Sequence, residues 1–205
     1  MDMAFMVTSF VTLFVIIDPI GLTPLFVALT QGMSDAQRKR VAIRSIVTGF
    51  IILVVFTLFG EAVLGFVGIS MPAFRIAGGI LLFLTALEML FQMRTKRRQD
   101  NSDEEIHDDP SIFPLAIPLI AGPGAITTVI LISGSHPGFV GYGETLIITI
   151  AVLAIVAAFF MMGSFIERGL GKTGINVVTR ILGMLLAALS VQFVLEGITS
   201  FIALS

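Results

Sequence analysis

The chain contains no cysteine and no tryptophan, and few of its residues carry a charge. Without cysteine it can form neither disulfides nor thiolate metal sites. Charged residues make up 13% of the 205 residues, whereas soluble domains carry roughly 25%. Because so little polar surface is available, the chain cannot cover a soluble globule. The composition therefore predicts a membrane protein, in which 18 phenylalanines supply most of the aromatic bulk.

Long apolar runs fill most of the sequence, of which 56% is hydrophobic. Each run is close to the roughly 20 residues that a helix needs to cross a bilayer, or is long enough to tilt or break. The predicted spans cover about residues 3–30, 41–60, 71–93, 111–133, 144–166 and 174–202. The predicted fold class is thus an all-α polytopic membrane protein with six transmembrane helices.

The distribution of lysine and arginine predicts the orientation. In the six-span arrangement, 11 of the 12 basic residues fall in the loops after the first, third and fifth spans, and Arg75 alone lies on the other side. Basic loops stay in the cytoplasm. We therefore expect a multi-pass membrane protein with both termini on the external side.

The two halves of the sequence are related to each other. Several residues recur with the same spacing: Glu61, Leu64, Gly65, Gly68 and Ile69 return as Glu167, Leu170, Gly171, Gly174 and Ile175, and Arg75, Ile76 and Gly78 return as Arg180, Ile181 and Gly183. We predict two three-span repeats, residues 1–93 and 111–205, joined by a charged cytoplasmic linker, residues 94–110. An odd number of spans inverts the second copy, and inverted repeats are typical of transporters.

The repeated motifs also carry structural expectations. The two Leu-Gly-x-x-Gly-Ile elements predict tight turns between spans two and three and between spans five and six. Arg75 and Arg180 are expected to anchor span entrances or to pair with Glu61 and Glu167. Small residues predict faces for close helix packing: Gly78, Gly79, Gly183 and Ala187.

Paired prolines interrupt the first and fourth spans. Pro19 and Pro24 are five residues apart, and so are Pro118 and Pro123. Proline removes a helical hydrogen bond and disfavours helical backbone in the residue before it. Unsatisfied backbone survives in a membrane only against protein or a wet cavity. We therefore predict that both helices are broken at these prolines and that the two breaks meet around a central cavity.

Restarted helices predict a binding site. Thr23 before Pro24, and Gly122 before Pro123, have the pattern of an N-cap followed by a first-turn proline. The free N–H groups would suit a carboxylate and the freed carbonyls a cation or ammonium group, so the predicted ligand is a small zwitterionic solute. The predicted substrate-binding residues are Asp18, Pro19, Ile20, Gly21, Thr23, Pro24, Pro118, Leu119, Gly122, Pro123, Gly124, Thr127 and Thr128.

Asp18 is the acidic residue near the middle of the first span, where the second copy has Ile117. An intramembrane carboxylate points to an ammonium partner, a proton carrier or a cation ligand. The alternative is that Asp18 caps the segment that begins at Pro19, and both roles can coexist. The coupling ion, a proton or sodium, and a homo-oligomeric state stay open.

The linker of residues 94–110 starts basic and turns acidic, with His107 among its carboxylates. A metal site can be drawn there, but the simpler interpretation is a solvated connector between the halves. We predict no metal, no cofactor and no nucleic-acid partner, since no basic patch is interleaved with aromatic residues.

Three stretches resemble hallmark segments of the MarC family of bacterial inner-membrane proteins: residues 74–82, 114–126 and 174–183. The resemblance covers essentially the whole chain. It implies transport of small neutral amino acids such as glycine and alanine. In that family the first break often reads Asn-Pro, whereas this chain has Asp18-Pro19, and Asp can titrate where Asn cannot.

We therefore expect a secondary transporter of small neutral amino acids that works by alternating access and holds its substrate at the unwound segments. A passive channel for a small polar solute or ion is the alternative. An intramembrane enzyme would need a nucleophile with a base, or a metal cluster. Since the histidines, His107 and His136, fall in predicted loops, we expect no enzyme.

Overall fold

A computed structural model describes residues 3–91, 110–136 and 138–204 of the chain. Helices occupy nearly all of this part, and no strand occurs in it. The segments are α1 (Met3–Ile17), α2 (Pro19–Leu29), α3 (Asp35–Val67), α4 (Met71–Leu90), α5 (Ser111–Ile120, which has the wide turns of a π-helix), α6 (Pro123–Ser133), α7 (Phe139–Met161) and α8 (Gly163–Leu204). Nearly all of the predicted linker lies outside the described residues.

Five stretches of the described chain are long and apolar enough to cross a membrane. They are α1 with α2 (Met3–Leu29), α3, α4, α7 and the Thr173–Ala203 part of α8. The bent pair α5–α6 is a sixth if both segments are counted as one span. The predicted class, an all-helical membrane protein, is confirmed, with five or six candidate spans.

The basic residues at positions 38–44 and 168–180, which we predicted in or beside loops, lie within helices. Ser34 caps α3: its Oγ accepts from the Gln37 amide at 3.4 Å, while the Ser34 amide donates to the Gln37 side chain at 2.9 Å. This capping box starts the helix at Asp35, before the basic residues 38–44. In the second half, α8 begins at Gly163 and likewise includes the basic positions 168–180.

The turn between α3 and α4 matches its prediction. Gly68 has a left-handed backbone (φ 84°), and the Ile69 amide donates to the Leu64 carbonyl at 2.9 Å, a Schellman ending that favours glycine. The second half also has a break at this element. Gly171 has a non-helical backbone (φ 59°, ψ 174°), and two helices join there across a kink inside α8. The last span, Thr173–Ala203, follows this kink, whereas α7 already ends at Met161, so a short helical stretch separates the two spans.

The core lies around the broken segments. Nearly every residue of α6 is buried, and Phe26 of α2 stacks on Phe160 of α7 with ring centroids 4.3 Å apart. The long helix α3 is peripheral and buries one narrow stripe. Within that stripe Gly49 packs directly against Ile120 of α5, and Gly60 against Ile130 of α6. Small residues thus allow α3 to approach the bent α5–α6 pair closely.

Helices α4 and α8 form the most extensive helix pair in the described chain. Glycines mark the crossing: Gly79 lies against Ser190, Gly183 against Ala86, and Gly197 against Pro72. As the residue number rises along α4 it falls along α8, so the two helices are antiparallel. The predicted packing roles of Gly79 and Gly183 are confirmed, and Gly78 packs against Thr127 of α6.

Candidate functional site

The first break is a single residue, Asp18, between α1 and α2. Its backbone is left-handed (φ 56°, ψ 64°), a conformation that Asp and Asn tolerate better than most residues. Its Oδ1 accepts a hydrogen bond from the Gly21 amide at 3.0 Å, and Pro19 occupies the first helical position. Asp18 is fully buried. It therefore starts α2 with a carboxylate at the positive end of the helix dipole.

Thr23 and Pro24 do not form the break that the sequence predicted. Both lie inside α2, and the Thr23 hydroxyl donates to the Pro19 carbonyl at 2.8 Å. Our predictions that Thr23 caps a new helix and that residues 18–24 unwind are wrong. Asp18 has already provided the cap one turn earlier, and α2 tolerates the single hydrogen bond that Pro24 cannot donate to the Ile20 carbonyl.

The second break lies between α5 and α6, whose axes differ by 53°. Within α5, Phe113 and Ile117 have extended backbones, as residues before a proline usually do. The prediction for the start of α6 is confirmed: Gly122 is the N-cap and Pro123 is the first helical residue. The Gly122 carbonyl accepts the first helical bond, from the Ile126 amide at 2.9 Å.

The two breaks are neighbours in the bundle. A Cβ added to Gly124, in the first turn of α6, would lie 3.1 Å from Cγ2 of Ile16, two residues before Asp18. The same position faces Leu82 at 3.4 Å and the Thr85 hydroxyl at 4.0 Å, both on α4. The prediction that the broken segments meet is thus supported by direct contact between the end of α1 and the start of α6.

The two helix starts differ in charge. A carboxylate caps α2, but within the described chain no side chain caps α6. The first amides of a helix have no partner inside the helix, so the Gly124 and Ala125 amides give α6 an uncapped positive end. Pro123 beside them is exposed. Negative charge at one break and positive dipole at the next make an arrangement that complements a zwitterion.

The other predicted residues surround these two points. Thr128 is fully buried, and its hydroxyl donates to the Gly124 carbonyl at 2.8 Å. Thr127 turns its methyl group toward Gly78. The rest of the predicted set lies on α2 and α5 near the breaks, buried or half-buried: Pro19, Ile20, Gly21, Pro118 and Leu119. The Thr23 and Thr128 hydroxyls are thus engaged with their own helices.

A cavity of about 410 Å³ lies at the far end of α2 from Asp18. Its lining comes from the second half of α2, the following turn and the first turn of α3: Pro24, Val27, Ala28, Thr30, Gln31, Gly32, Met33 and Arg38. Of the predicted site residues, only Pro24 lines it. The cavity therefore lies away from both breaks, on the side that the basic residues predict to be cytoplasmic.

Sequence reasoning missed two polar pairs at the opposite end of the bundle. Nδ1 of His136 lies 2.7 Å from Oε2 of Glu144, and Glu144 is only 2% exposed. Arg75 lies 3.6 Å from Glu196 and donates to the Ser135 hydroxyl at 3.3 Å. Of the two alternatives predicted for Arg75, it lies near the start of α4 and does not pair with Glu61. The side chain of Glu167 lies outside the described part.

Comparison with known proteins finds related membrane proteins in bacteria and archaea. It is 36% identical over 202 residues to the UPF0056 membrane protein YvbG of Bacillus subtilis, covering 97% of this chain and 96% of that one. It is 38% identical over 201 residues to a UPF0056 membrane protein of Archaeoglobus fulgidus, covering 96% and 93%. With YhcE of Escherichia coli the identity is 35% over 193 residues, covering 92% and 89%.

No solved structure matches the chain. A family model does: the one described as MarC family integral membrane protein matches residues 3–202. That match includes both breaks and the antiparallel α4–α8 pair. It also includes the three segments that resemble the family, residues 74–82, 114–126 and 174–183. Together with full-length relatives at more than a third identity, it shows that the chain belongs to the MarC family of integral membrane proteins.

Proposed function

We propose that the protein is a secondary transporter that moves small neutral amino acids, such as glycine and alanine, across the bacterial inner membrane by alternating access. One observation carries the proposal. The uncapped start of α6 lies beside a second helix start that bears a buried carboxylate. Broken helices whose ends face each other inside a membrane bundle are typical of transporter sites.

The charges of the two breaks suggest which end of the substrate binds at each break. Its carboxylate would accept hydrogen bonds from the Gly124 and Ala125 amides at the positive end of α6. Its ammonium group would face the carboxylate of Asp18, the acidic residue at the first break. We propose that the site binds and releases this ligand without changing it chemically.

The close surroundings of Gly124 favour a small substrate. Ile16 and Leu82 would contact even a single methyl group added at residue 124, at 3.1 and 3.4 Å. A glycine or alanine side chain needs little more room than that. Leucine or phenylalanine would overlap the same side chains, and overpacking of a tight site typically costs about 1–3 kcal/mol.

The arrangement of the helices supports two inverted repeats as the basis of alternating access. In each proposed repeat, residues 1–93 and 111–205, the first span contains the break and the third packs across the bundle. The third spans, α4 and α8, run antiparallel, as they would in copies of opposite orientation. We propose that the linker of residues 94–110 is cytoplasmic and that both termini are external.

The cavity at the end of α2 fits an inner entrance to this site. It begins at Pro24, six residues or nearly two turns beyond the helix cap at Asp18, and reaches Arg38 in the first turn of α3. A solute entering there from the cytoplasm would reach the breaks along α2. The conformation described would then be open toward the cytoplasm.

Counterflow in liposomes tests the proposal. Purified protein is reconstituted into vesicles loaded with unlabelled alanine, and external labelled glycine or alanine is added at the same pH and salt on both sides. A carrier should produce a transient accumulation that saturates with external substrate, and labelled leucine should accumulate much less. Equilibration without overshoot would indicate a passive channel, and no entry of either amino acid would contradict the proposed substrate class.

A further inference from the structure

A buried carboxylate at the outer end of the bundle has no role in the site described above. Glu144, in the second turn of α7, has a side chain that is 3% exposed. Its Oε2 contacts Nδ1 of His136 at 2.7 Å, whereas its Oε1 has no hydrogen-bond partner among the described residues. A buried charge left partly unsatisfied is costly unless something compensates it.

The histidine beside it connects this carboxylate to water. His136 follows α6 by three residues, and its side chain is 37% exposed. Phe5 of α1 packs edge-on against the imidazole with centroids 4.6 Å apart, which fixes one side of the ring. Imidazole can carry a proton on one ring nitrogen or on both. One partner is thus buried and the other can exchange protons with the external solution.

We propose that His136 and Glu144 form the proton-binding site that couples transport to the proton gradient, an inference that rests on the proposed function. The short contact between Nδ1 and Oε2 holds one proton between the two groups. With a second proton on the imidazole the pair is neutral, as imidazolium and carboxylate. When that proton leaves to the external solution, the buried carboxylate loses its counter-charge.

Few other charges in the described chain face the pair. Helices α1, α2 and α6 carry no titratable side chain. On α3, Glu61 is exposed, and the basic residues lie at the opposite end of the helix. Arg75 of α4 is brought close through Ser135, the neighbour of His136 in the chain, and Glu196 of α8 pairs with Arg75. Arg75 is therefore the cation best placed to respond when the pair loses its proton.

The position of the pair explains how a proton can affect the substrate site. His136 follows α6, whose other end is the uncapped helix start at Pro123. Glu144 lies on α7, which packs against α1, α3 and α6. A change in charge at the pair would alter the contact between the end of α6 and the start of α7, and the 11 residues of α6 connect that contact to the break.

Two variants of the full-length protein test the inference in liposomes. We expect Glu144→Gln and His136→Gln to retain alanine counterflow at equal pH but to lose accumulation driven by an imposed pH gradient. Matched controls are Glu61→Gln, an exposed carboxylate at the same end, and His107→Gln, which changes the other histidine. Both controls should accumulate alanine like the parent.

The outcomes are distinguishable. Gradient-driven accumulation that persists in both variants, or an equal loss of counterflow and accumulation, would overturn the inference. So would a parent protein driven by sodium and not by protons. If the parent shows no counterflow at all, the proposed function fails instead, and a second measurement then decides the proton site.

That measurement follows the Glu144 carboxylate by infrared difference spectroscopy in detergent. Because its Oε2 lies 2.7 Å from Nδ1 of His136, its C–O stretching band should respond when the imidazole gains or loses a proton. In the parent, this band should shift in one step as the pH is changed. The step should disappear in Glu144→Gln and His136→Gln and persist in both controls. A step unchanged in the two variants would contradict proton binding by the pair.

Discussion

Replacing Gly122 with alanine should reduce transport of glycine and alanine by about tenfold or more while the protein still inserts and folds. The backbone of Gly122 (φ −82°, ψ 170°) suits any residue, so the change introduces no local strain. The added methyl group would instead collide with the carbonyl oxygen of Pro118. Because that oxygen belongs to the backbone of α5, relief requires a shift of the break itself, which displaces the amides of Gly124 and Ala125.

Gly143→Ala is the matched control for this change. A Cβ at residue 143 would meet nothing within 4 Å, so this variant should transport like the parent. Overpacking costs about 1–3 kcal/mol, which predicts a melting temperature in detergent for Gly122→Ala that is lower by about 2–12 °C. Equal transport by the two variants would show that the geometry of the second break does not matter for the substrate.

Replacing Asp18 with asparagine should weaken the apparent affinity for glycine and alanine without unfolding the protein. Asn caps helices about as well as Asp and tolerates a left-handed backbone, so α2 should still start at Pro19. What is lost is the negative charge. Hydrogen bonds to charged groups are worth about 1.5–3 kcal/mol, which corresponds to a loss of about 10- to 150-fold in affinity.

Asp35→Asn serves as the control for removing a carboxylate, since Asp35 is exposed in the first turn of α3. It should leave the affinity unchanged. Asp18→Ala should behave differently from both, because it removes the cap and leaves alanine in a left-handed conformation, at a combined cost of about 2–3 kcal/mol. An unchanged affinity in Asp18→Asn would mean that Asp18 acts only as a helix cap.

The parts of this fold that depend on neighbouring residues could be predicted from the sequence. Gly122 and Pro123 form a local signal for a helix start, and the structure has one there. Gly68 likewise predicts the end of α3, because a residue with a left-handed backbone is needed at that position. Long apolar runs predicted the spans for the same reason, since the length and composition of a run decide whether it can cross a bilayer.

The first break shows where local signals are insufficient. Pro19 and Pro24 have the same spacing as the second pair, yet the helix breaks at Asp18 alone. A proline inside a helix costs one hydrogen bond, which surrounding packing can compensate, so its presence does not fix the site of the break. The choice depended on the Asp18 carboxylate, which can cap the amide of Gly21.

The partners of individual polar side chains could not be predicted from the sequence. His136 and Glu144 are separated by the turn between α6 and α7, and a one-dimensional pattern does not show that they face each other. Arg75 and Glu196 are on α4 and α8, and their pairing requires the antiparallel crossing of those helices. The repeat suggested Glu61 as a partner of Arg75, because both residues recur in the second half. The packing of α4 against α8 instead places Glu196 beside Arg75.

The central claim, that the substrate binds where α6 starts, is tested most directly by a single cysteine at that point. The chain has no native cysteine, and Pro123 is exposed at a position that needs no helical N–H. In Pro123→Cys, glycine or alanine should slow the reaction with a thiol reagent, whereas Val140→Cys, exposed on α7, should react at the same rate with or without them. Labelling of residue 123 that neither amino acid slows would contradict a substrate site at the breaks.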